Sequence, residues 1–326
     1  MQEINFRTDL ADERTKIFQK SNKEQDLDGI IVEQKKVDDK IDINTVKVTN
    51  ENGSQKIQKK IGTYTTINIG DVNIIDSQEL EKEKAIFAME LQKFIKGNGS
   101  ILVVGLGNKN ITADSIGSKV VENLNITRHI LKYKPELLPQ NTREISAIAP
   151  GVLGTTGIET QEIIEGIISK IKVSAIIVID AIETNDISRL LRTIQITDTG
   201  IAPGAGVNNK RKEISIETMQ IPVIAIGVPT VVEAATIVAN TLDILSNKFD
   251  EFGFIKDSSF RDKYELIKDV LEPSDFNLAV MPKEIDSLVD NIKEIICYGI
   301  NKLANWINIK HRKMQFYGQK TTNSDQ

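Results

Sequence analysis

Four short runs of β-branched residues constrain this chain most. They are ILVVG (101–105), SAIIVID (174–180), TIQIT (193–197) and IPVIAIG (221–227). Each is short and largely apolar or β-branched, so each predicts a buried strand. Stretches with a helical period lie between and after them, at 115–132, 160–172, 185–191 and 229–247. Strands alternating with helices indicate an α/β fold, a largely parallel central sheet covered on both faces.

The flanks differ. Residues 1–26 are charged and read as an arm or short helix. GIIVEQKK, IDINTVKVT and GTYTTINI, within 28–69, predict an N-terminal antiparallel β region, with Asn52-Gly53 as a hairpin turn. Residues 77–96 carry Leu80, Phe87, Leu91, Phe94 and Ile95 on one helical stripe, and Ser77 is placed to cap it. Another helix is expected at 260–271. A long one is expected at 282–308, with Pro282 in its first turn and a stripe from Ile285 through Leu288, Val289, Ile292, Ile295, Ile296 and Leu303 to Ile307. That stripe reads as a packing face. The division expected is 1–9, 10–76, 77–250 (the α/β core), 251–309 (helical) and 310–326 (a polar tail).

Composition narrows the function. A formal net charge of −5 argues against a nucleic-acid partner. The N-terminus has no apolar stretch of a signal peptide, and no run approaches a membrane span of about 20 residues. The single cysteine, Cys297, has only His129 and His311 as possible partners, so it reads as a buried small apolar residue rather than a nucleophile. A lone cysteine suits a reducing compartment, and the cytosol is expected.

Ligands of parallel sheets sit beyond the C-terminal ends of the strands. Three features are expected there: GLGNKNITAD ending in Asp114, Asp180 in VIDAIETND, and Asp198 in ITDTGIAPGAGVNNKRK. Gly105 and Gly107 begin a dinucleotide fingerprint, but Asn110 stands at its third small position and no ribose-binding acid follows. The carboxylates suit another chemistry. Two acids in one cleft share a proton, so one activates water while the other, protonated, polarises a carbonyl or protonates a leaving amine. Asp114 as a helix cap and Asp180 as a loop cap are the competing readings. A nucleotide- or small-ligand-binding protein and a hydrolase holding a hard cation on the same acids remain as alternatives. Small residues in 199–207 let backbone approach a ligand, and Lys210, Arg211 and Lys212 follow as a solvated run or a pocket for an acidic side chain.

Six motifs then carry a resemblance that covers nearly the whole chain. They are RTDLA (7–11), GLGNKNITADSIG (105–117), APGVLGTTGIET (149–160), the run from VIDAIETND to NNKR (178–211), GVPTVVEAATI (227–237) and MPKEID (281–286). In these the chain resembles the germination proteases, which degrade small acid-soluble spore proteins in spore-forming bacteria. The resemblance implies an atypical aspartic-type endopeptidase with no cofactor or metal. It implies an α/β/α sandwich similar to hydrogenase-maturation proteases, and a homotetramer in the spore core. It puts catalysis on Asp114 and Asp180. Asp198 lies in a matching motif and is a candidate participant, and Arg211, from the basic run, is the candidate partner of an acidic substrate side chain. It also implies a zymogen, residues 1–9 being removed at the Asp9–Leu10 bond. Thr8-Asp9-Leu10 is itself an acid before an apolar residue, like the family's substrate site.

Overall fold

The computed structural model describes residues 8–21, 27–70, 77–202, 212–248, 267 and 278–304. In chain order the first half runs α1 (Ala11–Ser21), β1 (Ile30–Lys36), β2 (Asp42–Val48), α2 (Glu51–Ile57), β3 (Gly62–Asn68), α3 (Ser77–Phe94), β4 (Ile101–Gly105), α4 (Ile116–Asn123), α5 (Arg128–Tyr133) and β5 (Ile145–Ile148). Then come α6 (Leu153–Thr156), α7 (Thr160–Ile168), β6 (Ala175–Glu183), β7 (Thr193–Thr197), α8 (Ile216–Met219), β8 (Val223–Glu233), α9 (Ala234–Lys248), β9 (Ala279–Val280) and α10 (Ile285–Leu303).

The strands form one sheet in the order β1-β2-β3-β7-β8-β6-β4-β5, with β9 paired to β8. Strands β8, β6, β4 and β5 are mutually parallel. Strands β1, β2, β3 and β7 join them through antiparallel pairs. The expected α/β class and central parallel sheet are therefore present. Alternation along the strands sorts the core into two layers. Ile101, Val103, Ile177, Ile179, Ile224 and Ile226 face one way, against Phe87 and Leu91 of α3, Val120 of α4 and Ile292 and Ile296 of α10. Leu102, Val104, Ile176, Val178 and Val223 face the other way, against Ile164 of α7 and Met219 of α8. On this second face the antiparallel half is covered by α1 and α2, through Ala11 and Ile57 against Val46, Val48 and Tyr64. Full burial of each such aliphatic side chain contributes about 1.5–3 kcal/mol.

The stripe on α10 is core: Ile285, Leu288, Val289, Ile292, Ile295, Ile296 and Leu303 are all buried. Mid-helix Gly299 lets α10 close on α3, because a Cβ there would lie 2.5 Å from the Phe87 ring. Cys297 is buried, its Sγ donating to the Val120 carbonyl at 3.5 Å.

Several expectations are corrected. Asn52-Gly53 is not a hairpin turn. Asn50 caps a helix instead, its Oδ1 accepting from Gly53 N–H at 2.8 Å, and α2 links β2 to β3. Gly53 serves close packing there, since its Cβ would lie 2.2 Å from the Gly29 carbonyl oxygen. The expected helix 185–191 is only a 3-10 turn, Ile187–Arg189. Parallel crossovers need a dozen or more residues, so the short link from β6 sends β7 back antiparallel, with β8 inserted between them. The segment 115–132 splits into α4 and α5. β8 continues through the expected start of its helix and ends at Glu233. Pro282 precedes α10 rather than entering it, its carbonyl accepting from Ile285 N–H. Of the expected helix 260–271 only Ile267, which is helical, is described; Ile307 and the Ser77 side chain also lie outside the described residues.

Candidate active site

Asp180 lies within β6, not at its end. Its register partner is Gly227 of β8, and Gly227 is also the partner of Gln195 on β7. Residues paired in register share a face, so Asp180 and Gln195 flank a glycine on the second face, two strand spacings or about 10 Å apart. Gly227 has no side chain, and the Ile182 side chain packs into the space beside it. A Cβ there would lie 2.7 Å from Ile182. Asp180 is buried, and its Oδ1 accepts from Ala181 N–H at 3.0 Å.

Asp114 reaches the same place by a tight turn. Gly107 takes φ +92°, and the chain then folds back so closely that a Cβ on Gly107 would lie 2.0 Å from the Asp114 carbonyl oxygen. The Asp114 Oδ2 accepts from Asn108 N–H at 2.7 Å, so this carboxylate closes its own loop. Ser115, not Asp114, occupies the cap position of α4. Gly117 in the first turn of α4 abuts the backbone just past β4 and within β6, with its Cβ position 2.5 Å from the Leu106 oxygen and 2.6 Å from the Ile179 oxygen. That approach sets the Asp114 turn beside β6. Asp114 and Asp180 consequently line one cavity of about 520 Å³, together with Gly107, Gly227, Tyr64 and Gln195.

The N-terminal segment forms part of the same wall. Asp9 lines the cavity. Its N–H donates to the Glu183 carbonyl at 3.0 Å, and its Oδ2 accepts from Glu183 N–H at 3.0 Å. Its carbonyl accepts from Lys59 Nζ at 2.7 Å and from Gln195 Nε2 at 3.2 Å. Leu10 is wholly buried. The start of α1 is locked by a buried ionic network. Arg189 forks onto both Asp12 oxygens, and Glu13 accepts from Thr184 Oγ1 at 2.6 Å, Asn185 N–H at 3.0 Å and the Thr8 hydroxyl. Burial pushes the Glu13 carboxyl above its ordinary range, against those hydrogen bonds. Burial also pushes the Lys59 ammonium down to about 8 and the Tyr64 hydroxyl up to about 12.

The other expected residues are placed differently. Because β7 runs antiparallel, Asp198 emerges level with the start of β8, away from the rim carrying Asp180. It is exposed, and its Oδ1 accepts from Thr63 N–H at 2.7 Å, closing β7 onto β3. Arg211 lies outside the described residues. Thr199, Gly200, Ile201 and Ala202, at the start of its loop, line the cavity. Sequence reasoning missed Lys59, Gln195 and Glu183. Gln195 carried a usable signal, as the one amide in the apolar strand TIQIT; Lys59 sits in an unremarkable charged run. Among the described residues no three His, Cys, Asp or Glu side chains are grouped to hold a metal ion, and no helix is long and apolar enough to cross a membrane.

Together these features define an α/β protein with a two-carboxylate cavity on one face of its sheet, partly walled by its own N-terminal segment. A family model described as germination protease matches residues 6–253 and 250–318. The germination protease of Clostridium acetobutylicum is 43% identical over 308 residues, covering 90% of this chain and 94% of the relative. Those of Bacillus pumilus and Priestia megaterium are 40% and 38% identical, covering 91% and 92% of this chain and 92% and 94% of theirs. The chain belongs to the germination protease family and is a peptidase. Among solved structures, a [NiFe] hydrogenase maturation protease, HycI, from Thermococcus kodakarensis aligns with a TM-score of 0.33 and 15% identity, over 65% of this chain and 99% of that one.

Proposed function

We propose that the chain is a self-processing aspartic-type endopeptidase that degrades small acid-soluble spore proteins in the germinating spore core, cutting after an acidic residue and before an apolar one. It is made as a zymogen, matures by cleavage at Asp9–Leu10 and acts as a homotetramer without a cofactor. The observation that carries this reading is that Asp114, Asp180 and Asp9 line one cavity. Two carboxylates lining one cavity repel when both are ionised, so a proton shared between the two acids is favoured. The ionised acid draws a proton from water as it attacks the peptide carbon, and the protonated one supplies a proton to the leaving amine. Asp9 occupies cavity wall that a substrate would need, which supports a latent precursor. Asp198, exposed and bonded to backbone, serves here as a strand tie, and Arg211 remains the proposed partner of the acidic substrate side chain.

The test follows the N-terminus by mass spectrometry and measures cleavage of a purified small acid-soluble spore protein. Asp114→Asn and Asp180→Asn are each expected to lower both rates by about 10²-fold or more, the general acid–base contribution, with unchanged melting. Full activity in either variant removes that acid from catalysis. Loss of wild-type activity in chelator, restored by a divalent ion, overturns the metal-free mechanism.

A further inference from the structure

Two side-chain donors converge on a single peptide oxygen in the cavity wall. Lys59 Nζ and Gln195 Nε2 both donate to the carbonyl of Asp9, at 2.7 Å and 3.2 Å. Neither contact depends on an arbitrary amide orientation. The Gln195 Oε1 accepts from Ala11 N–H at 2.9 Å, which turns Nε2 toward Asp9. Gln195 is buried and shares the row of Asp180 and Gly227, so the Asp9 carbonyl is held on the sheet face that carries Asp180. Lys59 is half-buried, and burial disfavours its charged form, so its bond to the carbonyl is less screened than in open water. Structural tethering of a loop needs only one weak acceptor contact. A half-buried cation plus an oriented amide on one carbonyl oxygen is the arrangement that stabilises developing negative charge.

We propose that Lys59 and Gln195 are the oxyanion-stabilising pair of this peptidase, acting first on the Asp9 carbonyl and then on the scissile carbonyl of each substrate. The inference rests on cleavage at Asp9–Leu10, as proposed above. Water oxygen bonds to the Asp9 carbonyl carbon, and the C=O electron pair moves onto the oxygen held by Lys59 and Gln195. Collapse re-forms C=O and breaks the bond to Leu10 nitrogen, which takes up a proton. The products are the Asp9 carboxylate and the Leu10 amine. The Leu10 amide already donates to Thr8 Oγ1 at 3.2 Å. The departing segment leaves the two donors free to receive a substrate carbonyl in the same place.

The test compares processing rates of full-length chains carrying Lys59→Met, Lys59→Arg and Gln195→Glu. Loss of one such donor costs about 10²–10³-fold in rate. Lys59→Met and Gln195→Glu are expected to slow the cut at 9–10 by that factor, and Lys59→Arg, which keeps charge and donors, to remain within about 10-fold of wild type. The pH profile adds a readout tied to the Lys59 charge. The wild-type rate falls above about pH 8, where Lys59 loses its charge, and this limb disappears in Lys59→Arg. The groups facing Lys59 are the Asp9 carboxylate, Glu13 and Arg14 of α1, and the Tyr64 ring at 6.0 Å. Gln195→Glu keeps side-chain volume and the acceptor for Ala11, so it carries the test if Lys59→Met fails to fold. A wild-type chain that is never cut at 9–10 overturns this inference together with the processing it rests on. Normal wild-type cutting with Gln195→Glu and any folded Lys59→Met at the wild-type rate overturns the oxyanion pair alone.

Discussion

Replacing Gly107 by alanine isolates the turn that delivers Asp114. Two costs apply. The first is conformational: φ is +92°, and an L-residue there loses roughly 1–2 kcal/mol. Alanine also stiffens the unfolded chain, which returns about 0.4–1 kcal/mol. The second is contact. The new Cβ would lie 2.0 Å from the Asp114 oxygen and 2.7 Å from its Oδ1, against an ordinary contact of 3.4–4 Å. The turn therefore has to open by about an ångström, and a misplacement of that size at a catalytic group costs about 10²-fold in rate. Gly97 supplies the control. Its φ is +67°, and nothing lies within 4 Å of its Cβ position. Gly97→Ala is expected to lower stability by roughly 0.5–1 kcal/mol at unchanged kcat/KM. Gly107→Ala is expected to lose a further ~1–3 kcal/mol, as overpacking does, and about 10²-fold in kcat/KM. Urea unfolding and cleavage of a spore-protein substrate read the two quantities. A folded Gly107→Ala with wild-type kcat/KM refutes the argument, as does an equal loss of activity in Gly97→Ala.

Two further outcomes concern buried charge outside the cavity. Glu83 is 2% exposed, one oxygen has no partner, and burial raises its carboxyl from 4.5 to about 7. A folded pKa above the unfolded one gives stability that is full below about pH 4.5 and lost as pH rises through 7. The loss is roughly 3 kcal/mol at most. Glu83→Gln is therefore expected to flatten the decline in melting temperature between pH 5 and 8, and an unchanged slope counts against the assignment. Arg189→Met strands the buried Asp12 carboxylate and is expected to cost about 3–5 kcal/mol in urea unfolding. Hydrogen exchange in α1 is expected to accelerate most; a uniform change across the sheet contradicts the local role of that network.

The layered core was legible because it is written locally. An apolar strand buried on both faces and a helix with one apolar stripe need only their own residues, and 101–105, 175–183 and 285–303 follow those patterns. The failures occurred where neighbouring options compete. At 50–53 a capping asparagine prevailed over a two-residue turn, since capping and turn chemistry use the same residue types. At 184–192 the decisive quantity was connection length, which reversed β7 and took Asp198 away from the site.

The candidate site divides the same way. Sequence by itself determined that Asp114 follows a glycine turn after one central strand and that Asp180 sits on another, because both follow from local periodicity and turn chemistry. Only the tertiary structure decided their company. Register across three strands set Gln195 level with Asp180, and close approach at Gly117 set the Asp114 turn beside β6. Docking of the N-terminal segment brought the Asp9 carbonyl to Lys59, 50 residues along the chain. Such contacts are long-range choices of packing and register, and a one-residue slip of β7 alone would have turned Gln195 to the opposite face.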